Sequence, residues 1–166
     1  MLQDNTELST VKLDRSKRDQ LKNIAEIKVS YKPKLMEGPK ITSSNTAYEQ
    51  LKTFYPKDTI SLQEHFVILY LNRANNIIGG YHAFTGGITG TIADIRIIMG
   101  VALKSMACGI ILSHNHPSGN LLPSSADREI TNKIKEVCKL MDINLLDHII
   151  LSPEGTFYSF ADEGLI

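Results

Sequence analysis

A chain of 166 residues, 42% of them hydrophobic and 22% charged, is long and apolar enough to bury one sizeable core, which excludes wholesale disorder. Its 18 basic and 18 acidic side chains cancel, so no overall positive field draws it to nucleic acid or to an anionic membrane, and only a local basic patch could do so. Two cysteines, Cys108 and Cys138, are too few for a disulfide scaffold; each sits in an apolar stretch and reads as a buried free thiol of a reducing compartment.

The N-terminus opens polar from Met1 to Ser9 without an apolar signal core, and the longest apolar runs, 66–71 and 107–112, are too short to span a bilayer. No membrane association is expected, and the cytoplasm is the default. Residues 1–40 carry nine of the 18 basic side chains and few core-forming positions, so they read as a basic arm ahead of a compact domain over 41–166. Within the arm, 13–26 has the make-up of a short charged helix and 26–31 alternates like a strand before Pro33, Gly38 and Pro39 interrupt it. Thr42 to Asn45 then offers good N-cap residues for a helix running through Leu51 and Phe54.

From Glu64 the pattern becomes that of strands. Residues 66–71 form a short apolar run, Asn75–Asn76 supplies a turn, and 77–84 completes a hairpin. After the glycines at 86, 87 and 90, Ile92, Ile95, Met99, Ala102, Leu103 and Met106 recur at three- and four-residue spacing, which predicts an amphipathic helix facing the core. Residues 108–112 read as a buried strand, 117–123 as a loop, and Ile130, Ile134, Val137, Cys138 and Met141 as the inner face of a second helix. Two strands, 144–151 and 156–160, close the chain. Strands and helices interleave, so the expected class is α/β or α+β, a mixed sheet with flanking helices.

Chemistry concentrates between Ser113 and Asp127. Residues two apart on an extended segment point to one side, so His114 and His116 can meet one metal ion. Asp127, at the start of the next helix, can supply a third ligand because the loop through Gly119 lets the chain turn back. Water would fill the fourth position of a catalytic zinc. Ser124-x-x-Asp127 is equally the capping-box pattern, in which both side chains satisfy the first amides of a helix. A metal-activated water also needs a base, and between residues 55 and 113 the carboxylates are Asp58, Glu64 and Asp94. Asp58 reads as part of a surface loop and Asp94 as a helix-start acid favoured by the helix dipole. Glu64, at the head of an apolar strand, has the fixed and partly desolvated setting that suits proton transfer.

His114-x-His116, seven residues, Ser124, two residues and Asp127, with Glu64 upstream, resembles the JAMM (MPN-type) metalloprotease motif. Residues 110–119 and 146–150 resemble its RadC-like branch, and the similarity covers roughly residues 42–160. This resemblance implies a cytidine-deaminase-like fold, zinc on His114, His116 and Asp127, Glu64 as general base, and Ser124 helping to stabilise an oxyanion. Longer RadC-like proteins carry a helix-hairpin-helix domain; the arm here is too short for one and lacks its glycine hairpins, so DNA binding by that route is not expected.

Other features carry less. Asp147–His148 lies among apolar neighbours, where a structural hydrogen bond is a simpler role than catalysis. His65 and His82 read as incidental. The deaminase signature of His-x-Glu with Pro-Cys-x-x-Cys is absent, which argues against base deamination, and Gly86-Gly87 with Gly90 lacks the Lys-Ser/Thr of a phosphate loop. The functional expectation is a zinc-dependent peptidase or isopeptidase acting on a peptide or isopeptide substrate. A metal-dependent nuclease and a catalytically silent binding module stand as alternatives. The natural substrate and the oligomeric state, a homodimer included, are open.

Overall fold

The computed structural model describes residues 30, 38–87 and 93–166, and every element below falls in the unit 31–166. The expected helix over 13–26, most of the expected strand over 26–31, and Ile92 lie outside the described residues. Helix α1 (Ser44–Leu51) starts where the N-cap cluster placed it: Ser43 accepts from the Thr46 amide, and Thr46 answers with a reciprocal bond to the Ser43 amide. One 3-10 turn, Lys52–Phe54, continues it.

Strands β1 (His65–Leu71) and β2 (Ile77–Thr85) form the hairpin, with Asn75 in the left-handed conformation at the turn. Helix α2 (Ile95–Lys104), strand β3 (Gly109–Asn115), helix α3 (Ser125–Leu140), strand β4 (Asn144–Leu151) and the short strand β5 (Phe157–Ser159) follow. The sheet order is β2-β1-β3-β4-β5; only the β3–β4 pair is parallel, and α3 makes that crossover. This is a mixed sheet with helices on both faces, an α+β architecture.

Alternation along the central strands creates two cores. Phe66, Ile68, Tyr70, Ile110 and Leu112 pack with Ile98, Met99 and Ala102 of α2 and with Ile134 and Cys138 of α3. Val67, Leu69, Leu71, Ile111, Ile149 and Leu151 face the other way, against Ala47, Tyr48 and Leu51 of α1.

Several expectations are corrected. Leu103 and Met106 were expected on the core face, yet both are exposed. Helix α2 ends at Lys104, and Met106 takes a positive φ of 55° beyond it, which turns the chain away from the helical stripe. Met141 likewise caps α3 from outside and is exposed. Cys138 is buried, but Cys108, just before β3, is only half-buried; both are free thiols. Strand β3 also runs three residues past Leu112, because β1 and β4 both pair with it as far as His114.

Candidate metal centre

Strand β3 carries His114 on the α3 face of the sheet, opposite Phe66, whose ring lies parallel to the imidazole at 6.1 Å between centroids. His116 follows one residue after the strand ends, its amide still bonded to the Leu151 carbonyl. Gly119 then adopts φ +78°, a conformation glycine takes without steric penalty, and its amide closes a turn onto the His116 carbonyl. That turn brings the chain to the N-terminus of α3. Along α3, Asp127, Thr131, Ile134 and Cys138 recur at three- and four-residue spacing, and the last three are buried. The stripe that packs α3 on the sheet therefore also aims Asp127 at the end of β3.

The three side chains meet. His114 Nε2 lies 2.9 Å from His116 Nε2 and 3.2 Å from Asp127 Oδ1, and His116 Nε2 lies 3.6 Å from Asp127 Oδ2. Donors about 2.0–2.2 Å from a tetrahedrally bound zinc ion are separated from each other by about 3.3 Å. The observed spacing and the donor set of two imidazoles and a carboxylate therefore fit a transition metal. His114 is the deepest of the three, with 4% of its side chain accessible against 14% and 17% for His116 and Asp127, so the cluster is closed on the sheet side and more open on the other.

Asp127 caps the helix and faces the two histidines at once. Its Oδ2 accepts from the Ser124 amide at 2.7 Å and from the Ser124 hydroxyl at 2.6 Å, while Ser124 Oγ accepts from the Asp127 amide. This is a complete capping box, and it leaves Oδ1 turned towards His114. Burial alone would push the Asp127 carboxyl up, but the imidazoles of His114 and His116 beside it and the Ser124 hydroxyl outweigh that and hold the group far below the usual carboxylate range. The neighbouring Asp127 carboxylate in turn raises His116 against the opposing effect of burial, aided by the Asn120 carbonyl and by the charge of Glu64.

Glu64 precedes β1 at the same end of the sheet, half-buried, near enough for its charge to be felt at His116. Asp94 caps α2 and pairs with Arg96, and Asp58 lies in the turn before β1. The single hydroxyl proton of Ser124 goes to Asp127, so serving an oxyanion would require that hydroxyl to rotate away.

Two residues against the cluster, His148 and Thr131, were not assigned to it from sequence. His148, fully buried, places Nε2 2.8 Å from His114 Nδ1, and its Nδ1 lies 2.6 Å from Thr131 Oγ1. Burial pushes His148 well below the usual imidazole range. Its neighbour Asp147 does not pair with the imidazole: that carboxylate accepts from the His148 and Ala161 amides and the Ser159 hydroxyl, and burial raises it. Asn115 turns to the opposite face of the sheet and reaches the segment that carries Glu64. The i, i+4 relation of Asp127 and Thr131 was readable as a shared helix face; the pairings across the sheet were not. His65 and His82, read as incidental, form a hydrogen-bonded pair at 3.1 Å, with Thr59 and Thr85 beside them.

The RadC-like JAB domain matches residues 41–165, a span that includes all of these groups. The chain belongs to the RadC-like JAB domain family. It is 41% identical over 131 residues to a UPF0758 protein of Flavobacterium johnsoniae, an alignment covering 79% of this chain and 56% of that protein. A UPF0758 protein of Porphyromonas gingivalis is 40% identical over 126 residues, covering 76% and 54% of the two chains. One from Streptococcus gordonii is 42% identical over 127 residues, again covering 76% and 54%. The chain thus spans about half the length of the curated relatives it matches. RadC-like JAB domains form part of the JAMM-type metal-dependent hydrolases, and the cluster at the end of β3 is where this domain could hold a metal. Among the described residues, no helix is long and apolar enough to cross a membrane.

Proposed function

We propose that this RadC-like domain is a zinc-dependent hydrolase of the metallopeptidase or isopeptidase kind. The observation that carries the reading is the meeting of His114 Nε2, His116 Nε2 and an Asp127 oxygen within bonding distance of one point. Nitrogen and oxygen donors in this combination suit borderline-soft zinc better than magnesium or calcium, which favour oxygen alone. A zinc ion bound there supplies Lewis acidity, lowering the pKa of water and polarising a carbonyl.

The chain's own groups supply the rest. His114 and His116 hold the metal from the sheet, and Asp127 holds it from the helix, its carboxylate kept in place by the Ser124 hydroxyl and amide. The Glu64 carboxylate takes a proton from the attacking water and returns it to the leaving nitrogen. Its place at the head of β1, at the end of the sheet where β3 presents the histidines, supports that role.

The test is metal analysis of the purified chain followed by turnover on peptide, isopeptide and oligonucleotide substrates. Wild type should carry about one zinc per chain, melt higher when zinc is added, and cleave an amide bond. Glu64→Gln should keep the metal and lose about 10²–10⁴ in rate, the usual cost of removing a general base. A chain that neither holds zinc nor changes its melting temperature with it refutes the metal assignment. Cleavage of oligonucleotides alone refutes the peptidase assignment.

A further inference from the structure

The two imidazoles of the cluster differ in how their far nitrogens are held. His116 presents Nδ1 to the main-chain oxygen of Asn120. That oxygen can only accept, so Nδ1 carries a proton and Nε2 is left for the site. His114 has no carbonyl in that role. Its Nδ1 faces another imidazole nitrogen, His148 Nε2, and either of the two could donate.

The direction is settled one step farther along. Thr131 Oγ1 contacts both His148 Nδ1 and the main-chain oxygen of Asp127. A carbonyl oxygen cannot donate, so the one hydroxyl proton of Thr131 goes to Asp127. The threonine oxygen remains an acceptor, and His148 must bring a proton on Nδ1. His148 is wholly buried beside the rings of Phe66 and Phe160, where a second proton would leave a charge in an apolar setting. Its Nε2 therefore keeps a lone pair, which accepts from His114 Nδ1. His114 is thereby left with a lone pair on Nε2, the atom that faces His116 and Asp127.

We infer that His148 and Thr131 are positioning residues that lock His114 in the tautomer able to bind a metal, through a chain running from the Asp127 carbonyl to Thr131, His148 and His114. This rests on the reading of His114, His116 and Asp127 as ligands. Asp127 would serve twice, with its side chain in front of the site and its main chain behind it. A ligand on the helix and a ligand on the sheet are so coupled that displacing α3 releases the proton order of β3 as well.

Two measurements on the full chain test this. In the metal-free protein labelled with ¹⁵N-histidine, at about pH 8, above the ordinary histidine range, His114 and His148 should each be protonated at Nδ1. Protonation at Nε2 in either ring overturns the inference. Thr131→Val keeps the shape of the side chain but removes the acceptor. It should move the His114 proton to Nε2 and weaken zinc binding, measured by competition with a chelator, about 10- to 100-fold. Thr131→Ser should restore both. A Thr131→Val protein that is merely less stable, with unchanged zinc affinity and tautomer, overturns the inference. If wild type binds no zinc, it is the ligand reading that fails, while the histidine spectrum of the metal-free chain still decides the proton order.

Discussion

Asn115 stands between the two histidines in sequence but on the other side of the sheet, since successive strand residues alternate in direction. It is completely buried. Its Oδ1 accepts from the His65 amide at 2.7 Å, and its Nδ2 donates to the carbonyls of Ile60 at 2.7 Å and Gln63 at 3.0 Å. One side chain thus fastens the main chain on both sides of Glu64 to the strand that carries His114. Asn115→Ala would leave a buried donor and two acceptors without partners, a loss on the order of 3 kcal/mol. Denaturant unfolding should show that loss, with zinc content close to wild type and turnover reduced because Glu64 is no longer held. A variant that loses zinc as completely as His116→Ala would show that Asn115 supports the ligands rather than the Glu64 segment.

At the level of the elements, the start of α3 is where local pattern and site coincide. Ser124→Ala removes a helix cap, at about 1 kcal/mol, and also takes away one of the two hydrogen bonds that hold Asp127 Oδ2, leaving only the main-chain one. Thermal unfolding should register the first effect and zinc affinity the second, by about tenfold, with Ser124→Thr close to wild type in both. Unchanged zinc affinity in Ser124→Ala would separate the cap from the site. Much of this was legible beforehand, because Ser124-x-x-Asp127, the glycine turn and the two-residue spacing of the histidines are local patterns with local causes. That one carboxylate could cap with Oδ2 and face the cluster with Oδ1 was not legible, since it depends on where β3 ends relative to α3. The hairpin, β4 and the inner face of α3 followed from periodicity. Met106 and Met141 misled because apolar spacing continues past the point where each helix stops, whereas Leu103, still inside α2, falls beside the buried stripe of Ile98, Met99 and Ala102 and is exposed. His148 was hidden for another reason: its partners His114 and Thr131 lie on other elements, and no spacing within β4 announces them.

For the molecule as a whole, the described body begins at Gly38. Lys40 forms a bridge with Asn76, the Ile77 amide bonds to the Pro39 carbonyl, and Ile41 joins the core beneath α1. A chain starting at Gly38 should therefore unfold cooperatively and hold as much zinc as the full chain. One starting at Ser43, without those contacts, should be less stable. Loss of cooperative unfolding in the Gly38 variant would show that the core needs residues from the first 37. The order in which the site comes together follows from where its parts lie along the chain. His114, His116 and Asp127 belong to one continuous strand–loop–helix segment, whereas the Asn115 side chain must reach across 50 residues to fasten the stretch bearing Glu64. Closing the longer loop costs about 1 kcal/mol more in chain entropy, and local contacts form sooner. If the proposed roles hold, a nascent or partly unfolded chain would hence gather His114, His116 and Asp127 before Glu64 is seated, and would be able to sequester metal before it could cut anything.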